Sequence, residues 1–377
     1  MLMNKKILIL VLIIVLVFGI SGCSLDSLRK SKDTKDIDYN KGTQGLTLEF
    51  LSNTPPNEAW ADSTLPIQIK VMNLGSTTIG TKTDETEGYL LGGQGSGYEG
   101  GYLVLTGYDP QYIYQGTKGT RIEAKDLGIL NARNRFNPMG DLKILDFNPD
   151  ISKLEEVLYD YIEQPVVAMV CYIYRTKASP NVCLSSKTVD IENDPCKVSD
   201  ITLDSQAAPV AVKKIEVSAA PRDNMIDYIF VIHIKNVGNG EVVVQDMIYR
   251  DESNKGEACI APSTSKIPSY QQLNRVYIED LRVGNKVFPG KNVAGSGCER
   301  LDIFKGEGGY SYDNVVILDD KGEGLAAFKC KFDQEELRTP YETPLNIKIK
   351  YGYRERVSKV IKINKRSEEV INLENKQ

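Results

Sequence analysis

An internal repeat is the feature that most constrains the fold of this 377-residue chain. The segment 67–75 (IQIKVMNLG) aligns with 230–238 (FVIHIKNVG). In both, apolar residues alternate over five positions, as in a strand with one buried face. An Asn-apolar-Gly turn follows, where Asn and Gly tolerate the backbone angles of the exit.

The ends of the two copies also match, without a gap, between residues 163–184 and 342–363. Each end has apolar residues at every second position and predicts a terminal β-hairpin. Two shared ends in the same order indicate a duplicated domain.

The predicted fold class is therefore all-β, with two tandem Ig-like antiparallel β-sandwich domains after a signal peptide and a flexible tether. The predicted boundaries are 1–22 for the signal peptide, 23–44 for the tether, 45–203 for domain one, 204–211 for a small-residue linker, 212–364 for domain two and 365–377 for a charged tail. The best helical candidate is Ile151 to Tyr161, and Trp60 is expected to plug one end of the first sandwich.

The N-terminus predicts export. Lys5 and Lys6 precede an apolar run from Ile7 to Phe18, which is too short for a membrane-spanning helix and fits a signal peptide. The following Ile-Ser-Gly-Cys23 resembles the lipobox of bacterial and archaeal lipoproteins, which implies cleavage before Cys23 and lipidation of that cysteine. The alternative is an uncleaved N-terminal anchor. The expected location is the extracytoplasmic face of the cell membrane, with lipid on Cys23 as the membrane contact.

Charge argues against some partners. The net charge of −5 becomes −7 once residues 1–22, with two lysines and no acidic residue, are removed. Lys and Arg are scattered, so we expect no nucleic-acid partner.

Six cysteines after Cys23 predict up to three disulfides: Cys171, Cys183, Cys196, Cys259, Cys298 and Cys330. A hairpin centred on Lys177 would pair Cys171 with Cys183, and Cys183 with Cys196 is the competitor. A second predicted hairpin, 315–318 with 325–330 around the turn 319–322, favours Cys298 with Cys330 and leaves Cys196 with Cys259.

No catalytic or metal site is predicted, nor any cofactor. His233 lies opposite the apolar face of its strand, which indicates a surface residue. The sequence 95–100 (GSGYEG) matches GxGxxG only in letters, because no strand-to-helix context surrounds it. The acidic segment 319–323 lacks the ligand spacing of a calcium loop and predicts a solvated turn.

The stretch 88–116 is rich in glycine and tyrosine. Exposed tyrosines on such a loop would form an adaptable contact surface, and the candidates are Tyr98, Tyr102, Tyr108, Tyr112 and Tyr114. The alternative is that 102–105 forms a strand and the remaining tyrosines fill the sandwich edge. We expect the segment 306–312 to be its counterpart in domain two.

The Asn-apolar-Gly strand end resembles that of Ig-like and CARDB-type domains of prokaryotic surface proteins. With the segments 45–56, 107–110, 171–176 and 208–212, the chain is similar to uncharacterised exported proteins of DPANN archaea. This resemblance implies a fold and a location and no activity. We therefore expect a non-enzymatic, lipid-anchored surface binding or structural module with an envelope or surface protein partner. The alternative is the substrate-capture component of an envelope transporter or enzyme system.

Overall fold

The computed structural model describes residues 38–82, 98–186, 194–244, 273–288, 297–301 and 314–366. These residues form 23 strands and no helix, so none of them belongs to a helix that could cross a membrane. The strands of the first part of the chain are β1 (Leu46–Phe50), β2 (Glu58–Trp60), β3 (Ser63–Thr64), β4 (Ile67–Asn73), β5 (Thr81–Lys82), β6 (Tyr98–Glu99), β7 (Gly101–Thr106), β8 (Ile113–Tyr114), β9 (Lys125–Asp126), β10 (Leu142–Phe147), β11 (Asp150–Ile151), β12 (Tyr161–Ala178), β13 (Asn181–Leu184) and β14 (Ile201–Thr202). The others are β15 (Val210–Arg222), β16 (Met225–Asn236), β17 (Glu241–Val243), β18 (Arg275–Val283), β19 (Lys286–Phe288), β20 (Cys298–Arg300), β21 (Val315–Ile317), β22 (Glu323–Asp333) and β23 (Tyr341–Asn364).

The predicted all-β, antiparallel sandwich architecture is confirmed. One ten-stranded sheet runs through the protein, with a central order of β19-β18-β23-β12-β7-β9. The sheets β1-β4-β10 and β14-β15-β16-β22-β20 share one hydrophobic core with it. Strand β4 is buried at every second residue, as its apolar alternation predicts.

The predicted terminal hairpins are wrong, because each aligned segment runs straight. Strand β12 pairs antiparallel with β23 from Tyr161 opposite Asn364 to Ala178 opposite Ile347. After Ser179 and Pro180, β13 continues along the same neighbour. Alternating sequence alone cannot distinguish a hairpin from one long strand, because both bury every second residue.

The pairing of β12 with β23 relates the two copies by a pseudo-twofold axis. In the alignment, Glu163 corresponds to Glu342, so each residue has its counterpart 179 positions later. Ile173 thus corresponds to Gly352, and these two residues also lie directly opposite each other in the register. The contact has the self-complementary form of a twofold dimer interface, here within one chain.

A cluster of four buried tyrosines surrounds this axis: Tyr172, Tyr174, Tyr351 and Tyr353. Ring centroids of contacting members lie 5.9 to 6.3 Å apart. Leu46 N donates to the Tyr172 hydroxyl at 3.1 Å, and Val210 N donates to that of Tyr351 at 3.1 Å. Thr77 N likewise donates to Tyr174 at 3.2 Å, and Gly240 N to Tyr353 at 2.7 Å. The duplication therefore extends from sequence to matching tertiary hydrogen bonds.

The glycines of the two Asn-apolar-Gly motifs allow a tyrosine side chain to lie close to the backbone. Neither Gly75 nor Gly238 has a positive φ angle, so the predicted reason, backbone angles, does not apply. A Cβ atom on Gly75 would lie 1.9 Å from the Tyr174 hydroxyl, and one on Gly238 would lie 2.4 Å from the Tyr353 hydroxyl. Each motif thus needs glycine because a tyrosine of the opposing sheet occupies the space of a side chain.

The described residues from Tyr39 onward form one compact unit. The predicted linker is packed inside it, since Ala207 and Ala208 are fully buried and the Tyr174 hydroxyl donates to Ala207 O at 2.8 Å. Its small residues fit the narrow space beside the tyrosine cluster. The division into domains at residues 204–211 stays a prediction, and "first half" and "second half" below mean residues 39–203 and 204–366.

Two predicted disulfide pairings are wrong. Cys183 is bonded to Cys196, the competitor named from the sequence, which rules out both Cys171–Cys183 and Cys196–Cys259. Cys171 and Cys183 lie 12 residues apart along one extended path, which is about 40 Å at 3.3 Å per residue. Cys171 is disulfide-bonded to a cysteine outside the described residues, and Cys259 itself lies outside them.

The predicted Cys298–Cys330 disulfide is confirmed, although for a different reason. Its cysteines lie directly opposite each other on β20 and β22. The predicted hairpin of 315–318 with 325–330 does not form, because β21 pairs with β18 of the large sheet while β22 lies in the opposite sheet. The turn between them therefore crosses from one layer to the other.

The helical candidate Ile151 to Tyr161 is also wrong. Ile151 ends β11, and irregular chain with turns follows until β12 begins at Tyr161. Leu154 is buried, whereas Leu158, one helical turn later, is 97% exposed. No continuous apolar stripe faces the core, so packing does not favour a helix here.

Candidate functional site

The tyrosines predicted as a contact surface largely fill the edge of the first half. Tyr108 is buried, and Ile122 N donates to its hydroxyl at 2.8 Å. Tyr102, in β7, packs on an apolar cluster of the large sheet, and Tyr112 packs against the main core. Tyr114 is half-buried in β8, where it pairs with β11. Buried Tyr108 cannot contribute to a contact surface.

Several predicted features fall outside the described residues. These are Cys23 with its predicted signal sequence, Tyr89, residues 95–97 and the segment 306–312. Tyr98 lies in β6, which pairs with β5 and does not open a helix. The alignment of 95–100 with a dinucleotide-binding motif thus finds no structural support in its described part.

His233 occupies the surface position predicted for it. Its Nε2 atom lies 3.1 Å from Glu216 Oε1, which also bonds to Lys214 Nζ at 2.9 Å. The neighbouring Phe230 and Ile232 are buried on the opposite face of β16. A histidine in a surface ion-pair group has an ordinary structural explanation and needs no catalytic one.

The acidic segment 319–323 forms the predicted turn. Asp319 Oδ1 accepts from Lys321 N at 2.9 Å and from Glu323 N at 2.8 Å, and Gly322 has a φ of 74°. The Asp319 carboxylate therefore closes its own loop. Among the described residues, no group of three or more His, Cys, Asp or Glu side chains is arranged to hold a metal ion.

The exposed aromatic residues lie at another place, where β2, β23 and β12 are neighbours. Trp60 pairs with Asn364 in the parallel β2–β23 contact, and Tyr161 pairs with Asn364 from the other side. Paired residues point to the same face of a sheet, so both rings flank Asn364 on the outer face. Trp60 is 55% exposed and Tyr161 is 47% exposed. Two strand spacings separate their backbones by about 10 Å.

The expectation that Trp60 plugs the sandwich is therefore wrong. In β2, only Ala59 points inward, while Glu58 and Trp60 point outward. The sequence contained a usable signal, because a charged residue two positions before Trp60 shares its face. A short strand with alanine as its only buried residue leaves its large aromatic side chain in solvent.

Polar contacts hold the outward-facing side chains of β23 in place beside these two rings. Lys362 Nζ lies 4.8 Å from the centre of the Tyr161 ring and 3.6 Å from Glu58 Oε1. Asn364 Nδ2 donates to Glu58 Oε2 at 3.0 Å. Val360, 56% exposed, follows on the same face of β23. We call Trp60, Tyr161 and Val360 with these polar neighbours the aromatic face.

The loop beside the aromatic face adds further exposed apolar side chains. Leu158 is 97% exposed and Tyr159 is 75% exposed. Their loop is tied to the end of β23, since Lys365 N donates to Asp160 O at 2.8 Å. Large apolar and aromatic side chains that share one exposed region are typical of contact surfaces. Chemically, the region can stack and pack against a partner, and its polar neighbours can form hydrogen bonds.

Comparison with known proteins gives no family for the chain. No protein-family model matches it, and no curated protein matches it. Among solved structures, the C-terminal domain of the AgI/II polypeptide BspA of Streptococcus agalactiae aligns over 85% of this chain and 98% of its own, with 8% identity and a TM-score of 0.14. A structure titled BspA_C_WT aligns over 84% and 97%, with the same identity and TM-score. At this TM-score the similarity supports no inference about fold or function.

Proposed function

We propose that this protein is an exported, lipid-anchored binding or structural module that contacts an envelope or surface partner through its aromatic face. The observation that carries the proposal is the pair of exposed rings, Trp60 and Tyr161, on one face of a rigid sheet. Aromatic side chains lose little conformational entropy on binding, and they dominate the binding energy of many interfaces.

The position of the rings suits recognition. They project from paired strands, so the backbone of the contact surface is already ordered before binding and costs little further entropy. Lys362 beside the Tyr161 ring and the Glu58–Asn364 hydrogen bond supply a polar rim. An apolar centre with a polar rim is the usual composition of a protein-binding surface.

Export is supported by the cysteines. Cys183–Cys196 and Cys298–Cys330 are disulfides, and Cys171 is also bonded. Such bonds persist mainly in oxidising compartments outside the cytosol. Lipidation of Cys23 is tested by Cys23→Ser, which we expect to move the protein from the membrane fraction to the soluble fraction. A Cys23→Ser protein that stays in the membrane fraction would favour an uncleaved N-terminal anchor.

Cross-linking and pull-down from envelope extract, under non-reducing conditions, test the contact surface. We expect the full-length protein to recover a specific partner and Trp60→Ala/Tyr161→Ala to lose it at unchanged thermal stability, because both rings are exposed. Phe136→Ala is the matched control, since Phe136 is 96% exposed and lies elsewhere. Equal recovery by the double variant and the wild type would exclude the aromatic face as the contact.

A further inference from the structure

The pseudo-twofold axis creates two equivalent positions beside the tyrosine cluster, and the two are occupied differently. The repeat places Thr176 of the first half and Glu355 of the second half at corresponding positions, each two residues after a cluster tyrosine. The segments facing them correspond as well. Leu46 and Val210 occupy the same place opposite Asn73 and Asn236, so residues 43–45 correspond to residues 207–209.

The position of Thr176 is closed. The Thr176 hydroxyl donates to Val210 O at 2.6 Å and lies 2.9 Å from the Tyr351 hydroxyl. The facing Ala207 carbonyl accepts from Ser76 N at 2.9 Å and from the Tyr174 hydroxyl at 2.8 Å. Every one of these polar groups has a hydrogen-bond partner.

The position of Glu355 is open. A small cleft separates it from the facing segments and is lined by Thr43, Gln44, Gly45, Pro209, Val237, Gly238, Asn239, Tyr353 and Glu355. Within the part of the chain that the structure describes, the Glu355 carboxylate has no hydrogen bond and no ion pair. Burial raises the pKa of this carboxyl above its ordinary value. A partly buried carboxylate without a partner is energetically unfavourable. The threonine at the corresponding position of the first half has its hydrogen-bond partners. This difference indicates that a ligand pairs with Glu355.

The composition of the cleft limits the ligand. Glu355 is the only charged group in its lining, and the remaining polar side chains are a hydroxyl, two amides and a phenol. Calcium sites commonly use several carboxylates among six to eight oxygen ligands, which one carboxylate does not match. A single positive charge with several N–H donors does match one carboxylate surrounded by neutral acceptors. An ammonium nitrogen has three such donors.

We propose that the Glu355 cleft binds a primary ammonium group, with Glu355 as its counter-ion and the side-chain oxygens of Thr43, Gln44 and Asn239 as further acceptors. The group would come from a lysine side chain of a protein partner or from a small alkylamine. This site is separate from the aromatic face and does not depend on it.

Calorimetric titration of the full-length protein with n-butylammonium and with Nα-acetyl-lysine amide tests the proposal. We expect saturable binding of at least one probe and no binding of n-butanol, which lacks the charge. Tighter binding of the lysine derivative would indicate a partner's lysine, and tighter binding of butylammonium would indicate a free amine. Saturation by calcium chloride, with no binding of either amine, would overturn the proposal.

Two variants assign the binding to Glu355. Glu355→Gln keeps the shape of the side chain, and Glu355→Thr installs the residue of the first half. Both should fold at least as stably as wild type, because they remove an unpaired carboxylate, and both should weaken amine binding at least tenfold. Unchanged affinity in Glu355→Gln would refute the site. Trp60→Ala/Tyr161→Ala should bind the amines normally, which separates this test from that of the aromatic face.

Discussion

Replacing Gly75 by alanine tests the packing at the pseudo-twofold axis most directly. The new Cβ atom would lie 1.9 Å from the Tyr174 hydroxyl oxygen, 2.9 Å from its Cζ atom and 3.1 Å from Ala207 O. Contacts this short require the ring or the backbone to move. Overpacking of a well-packed core costs about 1–3 kcal/mol, and the shortness of the contact places Gly75→Ala near the upper end of this range.

A double-mutant cycle with Tyr174→Phe isolates the cause. The phenylalanine variant loses the bonds to Ala207 O and Thr77 N, at 2.8 and 3.2 Å. Ala207 O keeps Ser76 N as a donor, so we expect a loss of about 1–2 kcal/mol. The phenylalanine ring no longer places an oxygen at the alanine methyl. The double variant should therefore be more stable than the sum of the single effects by about 1 kcal/mol.

Urea denaturation followed by circular dichroism measures these free energies of unfolding, provided that the slope against urea is unchanged. The double variant relieves only part of the steric clash, because the Cζ atom of the ring and Ala207 O still lie close to the new methyl group. Additive effects within about 0.5 kcal/mol would refute the steric reasoning. A wild-type stability for Gly75→Ala alone would refute the packing itself.

The remaining predictions concern bonds and ionisation elsewhere. Replacing Cys298 and Cys330 by alanine should lower the free energy of unfolding by about 4 kcal/mol, and replacing Cys183 and Cys196 by about 3 kcal/mol. The difference arises because the closed loops span 32 and 13 residues. Equal losses measured by urea denaturation would contradict this loop-length argument. Burial raises the pKa of all four cluster tyrosines, so their hydroxyls stay protonated in the folded protein while the unfolded chain ionises near pH 10. The free energy of unfolding should therefore fall as pH rises above about 10, and an ultraviolet titration that finds all tyrosines ionising normally before unfolding would exclude the buried cluster. Arg175→Met should lower the free energy of unfolding by about 3 kcal/mol. Arg175 Nε lies 3.0 Å from both carboxylate oxygens of Glu279, and both side chains are mostly buried. A melting temperature unchanged from wild type would show that the ion pair contributes nothing to stability.

Strand positions could be predicted from the sequence where one face is buried. Strands β1 and β4 follow their apolar alternation, and the repeat correctly identifies equivalent segments. The error at 163–184 has a clear cause: the polar segment 175–180 (RTKASP) fits a hairpin turn, yet the chain runs straight through it along β23. This partner strand lies far along the chain, and local sequence does not contain that information.

The candidate sites were less accessible to sequence reasoning. The outward position of Trp60 follows from the alternation at residues 58–60, but no local pattern indicates the parallel pairing of β2 with β23 that sets Trp60 near Tyr161. The Glu355 cleft was present in the alignment as a Thr176–Glu355 difference inside the matched segment. The alignment alone does not identify this difference as a site. Only the pseudo-twofold axis shows that both residues lie at equivalent positions beside the tyrosine cluster.

The long pairing of β12 with β23 has a consequence for biosynthesis. Each residue of β12 pairs with one about 170 to 200 positions later, and β23 is the last described strand. At ordinary translation rates the nascent chain exposes this edge for roughly 10 to 40 s before its partner is made. An open 18-residue edge is a template for pairing with other chains. We therefore expect newly made protein to require protection of that edge, and a chain that ends before residue 341 to self-associate.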